Sequence, residues 1–261
     1  MSQATIPSRK LANSRELFLT LVERQLRIRS KRALMGSIWP VVAPYVLIAT
    51  YVFVFGTVFK VPIDRYPEFL TAGLLPWAFL TQTLGKTVLS LSSESDIIRK
   101  SPFAYELLPL SATASYALNY LATLGLFVGY LAVVGRLDYI LLPVLIFPVT
   151  AVILLVMSLS MILALIDVYN HDLRMVLGNL LTVWFFLIPI VYRHEMTPEG
   201  LSFLDSVDPM NMIVGQMRAV LYYREIARPL HMIWMLVACV LLFWICRAVF
   251  RRLSHNLPQD I

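Results

Sequence analysis

Tyr116, Asn119, Tyr120 and Thr123 recur at i, i+3, i+4 and i+7, so on a helix they form one polar face within an apolar segment. A tyrosine ring packs on the apolar face of a pyranose and an amide bonds its hydroxyls, so this stripe could line a wet, sugar-facing passage. Hydrogen bonding between helices accounts for the same residues equally well. Gln82 and Lys86 share another face, with Lys86 near the end of its segment, where an ammonium can snorkel to water. Catalytic patterns are lacking. LGKT at 84–87 has Leu80 where a phosphate-binding loop needs glycine, and His194-Glu195 meets Pro198 where a zinc-binding HExxH needs its second histidine. No GxSxG occurs. Asp167, His171 and Asp172 are the one cluster of metal-ligand or acid–base type, and their position between two apolar segments reads as capping of helix ends.

The elements that must position these residues are six apolar stretches, 39–59, 69–91, 111–135, 139–166, 176–192 and 230–246, the last extending towards 250. They fill half of the 261 residues and hold a single Lys, Arg, Asp or Glu, namely Lys86. A hydrocarbon layer about 30 Å thick requires about 20 apolar residues at about 1.5 Å each. Backbone polar groups in lipid must bond internally, so the stretches are expected to be helices crossing a membrane. Six such segments in a chain that is 59% hydrophobic leave too little polar surface for a soluble domain.

A net charge of +6 would point to nucleic acid in a soluble protein, but here its placement decides. With six alternating spans, 14 of the 22 Lys and Arg fall on the side of the N-terminus and seven on the other, so both termini are expected in the cytoplasm. Arginines in the long 193–229 loop run against this bias, and long loops obey the rule poorly. The 38 mostly polar residues before the first stretch do not form a signal peptide and are expected to stay attached. The expected organisation is a segment at 1–38, a membrane domain at 39–250 and a tail at 251–261. Cys239 and Cys246 lie about 10 Å apart along one helix, too far to bridge, and read as packing residues.

Residues 13–31 read as an amphipathic helix at the membrane surface, with Asn13 and Glu16 at capping-box spacing. Leu17, Leu21 and Ile28 mark its apolar stripe, and Arg24, Arg27 and Lys31 lie elsewhere. The 92–111 loop carries a short helix signature capped by Ser93 or Ser95 and stopped at Pro102. Its Phe103 and Tyr105, beside Arg99, Lys100 and Glu106, could dock a soluble partner; an ordinary solvated loop accounts for them as well. Arg136–Asp138 joins the third and fourth stretches as a tight hairpin, and Gly125 and Gly129 have the GxxxG spacing of closely packed helices. In 193–229, the stretches 201–207 and 210–223 are too short to cross and suit re-entrant or interfacial helices.

RALMGSIWPVVAP at 32–44 resembles the entry to the first span in permeases of the ABC-2 polysaccharide exporter family, with Arg32, Gly36, Trp39 and Pro44 matching. GLLPWAFL (73–80), IIRKSPFAYELLPLS (97–111), YNHDLRMVLGNLLTVWFFLIPIVY (169–192) and MTPEGLSFLDSVDPMNMIVGQMRAVL (196–221) resemble further blocks of that family in order. Two departures stand out: Asp208 replaces the usual asparagine before Pro209, and Arg193 follows the tyrosine where many members have proline or a small residue.

The resemblance implies an all-α integral membrane fold of the ABC-2 (type V exporter) kind. It has six transmembrane helices, an N-terminal cytoplasmic interfacial helix and outer re-entrant or gate helices. It implies a homodimer in the bacterial cytoplasmic (inner) membrane carrying two copies of a cytoplasmic ABC ATPase, which binds ATP and Mg while this chain holds no cofactor or metal. Its substrates are lipid-linked O-antigens, capsular polysaccharides or teichoic acids, passed on to periplasmic and outer-membrane export partners. Coupling to the ATPase falls on Ser95, Asp96, Arg99, Lys100, Pro102, Phe103, Tyr105 and Glu106, and the outer gate on Met196, Pro198, Asp208 and Pro209. Candidates for the channel are Tyr116, Asn119, Tyr120 and Thr123, then Trp77 and Tyr51. Competing readings are an ABC-2 permease for a small hydrophobic drug and an intramembrane glycan-processing enzyme. The second would need paired carboxylates or a metal cluster at one face.

Overall fold

The computed structural model describes residues 14–32, 38–95, 98, 103–170, 172–193, 207–226 and 229–254, and no strand occurs among them. The α-helices among the described residues are, in order, α1 (Ser14–Arg32), α2 (Trp39–Tyr51), α3 (Tyr66–Thr87), α4 (Leu107–Val133), α5 (Ile146–Tyr169), α6 (Leu173–Leu187), α7 (Pro209–Arg218) and α8 (Pro229–Leu253). α2 runs on as a π-helix, Val52–Val58, and α7 as another, Ala219–Tyr223; a 3-10 turn, Leu142–Leu145, leads into α5. Each apolar stretch therefore contains a helix. Among the described residues, four helical segments are long and apolar enough to cross a membrane: Trp39–Val58, Leu107–Val133, Leu142–Tyr169 and Pro229–Leu253. α3 has the length but is less apolar, and α6, at 15 residues, spans about 22 Å.

α3 sits at the centre, packed against α2, α4, α5, α6 and α7. From Phe69 to Leu80 every residue is buried, which explains its mixed composition: its polar groups face protein. Thr87, for instance, donates to Ser160 on α5 at 2.8 Å. Its start is well signalled, with Arg65 in the left-handed region (φ 50°), Pro67 in the first turn and Glu68 beside the helix N-terminus.

Several boundaries differ from the sequence expectation for identifiable reasons. The fifth stretch does not stay helical to 192. Pro189 forces Ile188 into an extended conformation (φ −87°, ψ 133°), and α6 stops at Leu187. The connection between α4 and α5 is not the three residues Arg136–Asp138. Gly135, at φ 68°, ends α4 early, and non-α backbone runs from 134 to the 3-10 turn. Gly125 and Gly129 make no close approach among the described residues, since a Cβ at either position meets nothing within 4 Å. On α1, Leu17 and Leu21 are buried as expected, but Ile28 is 39% exposed. Arg24, three residues beyond Leu21, shares their face and pairs with Glu94 rather than lying elsewhere. Asn13 lies outside the described residues.

Two cores result. The larger surrounds α3. The smaller gathers Leu17 and Leu21 of α1, Leu91, Ile98, Leu108, Met161, Leu165 and Phe250 at the end predicted to be cytoplasmic. At the opposite end, Arg218, only 5% exposed, closes the structure. Its guanidinium donates to the carbonyls of Phe69 (3.3 Å), Pro189 (2.5 Å) and Ile190, and lies 3.7 Å over the Phe69 ring. Gly73 makes room for it, because a Cβ there would stand 2.8 Å from a guanidinium nitrogen. Gly73→Ala is expected to destabilise the fold by about 1–3 kcal/mol through overpacking. The thermal transition of the solubilised protein should fall accordingly, whereas Gly125→Ala and Gly129→Ala should leave it in place.

Candidate functional site

The polar stripe of α4 lies against α2 and α3 and lines a crevice. Tyr116, Asn119, Tyr120 and Thr123 form one wall, Gln82, Thr83 and Phe79 of α3 a second, and Pro40 and Pro44 of α2 a third. The four sequence-predicted residues are thus brought together. Tyr116 and Asn119 are half-buried, while Tyr120 and Thr123 are 4% and 2% exposed. Tyr120 stacks on Phe79 at 4.8 Å, and Thr123 donates to the Asn119 carbonyl at 2.8 Å. The Tyr120 hydroxyl and the Thr83 Oγ1 are buried without a hydrogen-bond partner among the described residues. The crevice volume, about 20 Å³, suits one water and excludes a sugar ring in this conformation. Gln82 shares this site; Lys86, on the same face of α3, does not line it.

Trp77 and Tyr51 go elsewhere. Trp77 meets Trp184 edge-on at 5.5 Å and Phe185 at 5.7 Å, and Tyr51 meets Phe185 at 5.5 Å, so the two candidates belong to an aromatic cluster of α2, α3 and α6. That cluster adjoins Asp208, one of the residues expected at an outer gate. Asp208 is the N-cap of α7: its Oδ1 accepts from the amides of Met210 (2.8 Å) and Asn211 (3.4 Å), with Pro209 in the first turn. Its Oδ2 accepts from Trp184 Nε1 at 2.6 Å. Both carboxylate oxygens are occupied, which gives the departure from asparagine a physical account. An asparagine could cap the helix but would turn an NH₂ group against the indole N–H. Met196 and Pro198 lie outside the described residues.

In the predicted coupling region, Asp96, Arg99, Lys100 and Pro102 lie outside the described residues. The helix signature opens as a 3-10 turn, Ser92–Glu94, and the described residues beyond it, half-buried Ser95 and buried Ile98, are helical. Phe103 and Tyr105 meet edge-on at 5.1 Å and pack on the smaller core. Glu106 is 4% exposed and therefore not a surface group. Its carboxylate accepts from Arg247 (2.8 Å) and Arg251 (2.9 Å), tying the start of α4 to the end of α8. Burial opposes its ionisation, but the hydrogen bonds and charges of the two arginines prevail and hold its carboxyl below the ordinary value of 4.5.

The sequence reading misses further ion pairs, two of which join residues only seven and three apart in the chain. Asp167, 0% exposed, does not cap a helix end. It binds Arg174 through both oxygens (2.7 and 2.9 Å) and accepts from Ser92 at 2.8 Å. Asp172 occupies the N-cap position of α6 without a side-chain capping bond, and His171 lies outside the described residues. Glu68 joins Arg65 at 3.3 Å and Arg136. Arg218 and Trp184 gave no local signal either, although a lone arginine at the end of an amphipathic segment is one that could have been weighed.

No family model matches the chain. It is 27% identical over 257 residues to the O-antigen export system permease protein RfbA of Myxococcus xanthus, covering 97% of this chain and 98% of the relative. Two RfbA permeases of Klebsiella pneumoniae are 26% identical over 201 and 221 residues, covering 76% and 81% of this chain and 77% and 84% of theirs. With four apolar helices of crossing length, the chain is a multi-pass, all-helical membrane protein. Within that class it is a homologue of the O-antigen export permeases, in agreement with the ABC-2 resemblance of its sequence blocks.

Two expectations follow. Asp208→Asn should cost about 1.5–3 kcal/mol, the scale of a hydrogen bond to a charged group, and should change the Trp184 fluorescence, as read by comparison with Trp184→Phe. Because the folded Glu106 carboxyl titrates below its unfolded value, its stabilisation is complete above about pH 4.5 and is lost as pH falls through the folded value. Thermal unfolding from pH 7 down to pH 3 should therefore show an acid-sensitive component that Glu106→Gln abolishes.

Proposed function

We propose that this chain is the membrane-spanning permease subunit of an ABC transporter that exports a cell-surface polysaccharide across the bacterial inner membrane. The observation that carries the reading is similarity along 97% of the chain to a protein named as an O-antigen export system permease. The polymer is an O-antigen or a related lipid-linked glycan, and ATP hydrolysis with its Mg belongs to a separate cytoplasmic ATPase. The chain is a transporter subunit rather than an enzyme.

On this reading α3 and α6 also cross, giving six spans with both termini in the cytoplasm. The functional unit is a homodimer carrying two ATPase subunits. Physical size supports the dimer: a crevice of about 20 Å³ cannot pass a hydrated sugar, so the route runs along faces that one subunit leaves open. ATPase closure acts on Ser95, Asp96, Arg99, Lys100, Pro102, Phe103 and Tyr105, and Glu106 anchors that loop to α8. Arg24 and Glu94 link it to α1, so a push there moves several helices at once. The segment with Met196, Pro198, Asp208 and Pro209 gates the outer end, with Asp208 fixing its helix to α6.

Deleting the gene and tracing lipid-linked polysaccharide tests the reading. Intact polymer should accumulate on the cytoplasmic side, and unchanged surface polysaccharide would overturn it. In the complemented strain, Tyr116→Ala or Asn119→Ala should reduce export with the permease and its ATPase still co-purifying, if the crevice wall meets cargo during transport.

A further inference from the structure

A second pocket, of about 280 Å³, lies one to two helical turns beyond the crevice towards the predicted outer face, between α2, the first turns of α3 and the last part of α4. Three aromatic residues wall it: Tyr45, Phe127 and Tyr130, the last two with nearly parallel rings 6.4 Å apart. Its polar lining residues are Glu68, Thr71 and Tyr45. Tyr45 already donates to the Thr123 carbonyl at 2.7 Å, and Thr71 to the Pro67 carbonyl at 2.6 Å. Neither has a proton left to give, so both offer a guest lone pairs. Glu68, 3% exposed and ion-paired, only accepts. Apart from the half-exposed Tyr130 hydroxyl, the pocket asks its guest for hydrogen-bond donors.

A cation is the wrong donor. Glu68 already faces the guanidiniums of Arg65 and Arg136, so the cluster is net positive and repels another positive charge. Neutral hydroxyls on a ring with an apolar C–H face meet both requirements, donating to the acceptors and stacking on the aromatic residues. The volume lies near the lower bound of about 300 Å³ for small-molecule sites, enough for one ring and too small for a chain. Leu126 and Tyr130, 57% and 49% exposed, leave the entrance open on the side of the bundle.

We propose that this pocket is a binding site for a single neutral pyranose ring. It deepens the polysaccharide reading and rests on it for the source of the sugar. The permease in lipid nanodiscs is mixed with octyl β-D-glucoside below its micellar concentration, and saturation transfer from the protein to the glucoside is measured by NMR. Saturation should reach the ring protons. It should fall about fivefold in Tyr130→Ala, the effect of losing one aromatic face, and be kept in Tyr130→Phe and in the crevice variant Tyr116→Ala. Saturation confined to the octyl chain, or ring saturation unaffected by Tyr130→Ala, overturns the proposal and makes the pocket an acyl-chain site. If Tyr130→Ala does not fold, Thr71→Val removes an acceptor at constant shape, and unchanged ring saturation there is equally fatal. The export reading fails separately, through unchanged surface polysaccharide on gene deletion, whereas the NMR result reports the pocket alone.

Discussion

The end of this protein opposite the predicted cytoplasmic one depends on a buried guanidinium held without a carboxylate among the described residues. Arg218 is bound by three carbonyl oxygens and the face of Phe69. Two of those carbonyls follow the end of α6, where Pro189 leaves the backbone without a helical continuation. In a bilayer such groups must find partners inside the protein, and Arg218 provides five donors for them. For the side chain to reach them, α3 must carry no Cβ at 73. The break in α6, the glycine of α3 and the end of α7 are thus one constraint met three times. Tyr66 and Tyr222 extend it by donating to the carbonyls of Val191 (2.9 Å) and Asp64 (2.5 Å).

Around that fixed end, the acids divide the labour by position. Glu68, Glu106 and Asp167 are each nearly or fully buried, and each is paired with arginine from another part of the fold. Removing one partner of such a pair is costly because it strands the other charge, so these ties fix which helix ends move together. The middle of the bundle is different. There the polar groups are hydroxyls and amides, two of them without a protein partner, and no ion pair locks the crevice wall. Rigid ends and a softer polar seam are what a protein needs if force applied at one face is to reposition helices.

The helical membrane character was legible because lipid imposes a length and an apolar composition that leave their trace residue by residue. The polar face of α4 was legible for a similar reason: 116, 119, 120 and 123 share a helix face whatever their neighbours are. Partners across the chain were not. Nothing near Glu106 announces Arg247, and nothing near Asp208 announces Trp184. Arg24 lies on the inward face although a charged residue reads as solvent-facing, because Glu94 across the interface makes the inward position favourable. The GxxxG spacing, which chance supplies as readily, makes no close approach among the described residues, since small residues permit such an approach without creating it.

The central place of α3 also bears on how the chain is made. On the six-span reading α3 is the second span to leave the ribosome, yet two of its polar ties form only later: to Ser160, which receives the Thr87 hydroxyl, and to Arg136, which joins Arg65 on Glu68. Until those segments emerge, α3 is a poor tenant of the lipid phase. Biogenesis must therefore hold it at a protein or aqueous boundary until α4 and α5 have been synthesised, and a chain stalled before Arg136 would expose a nascent helix that the bilayer alone does not retain.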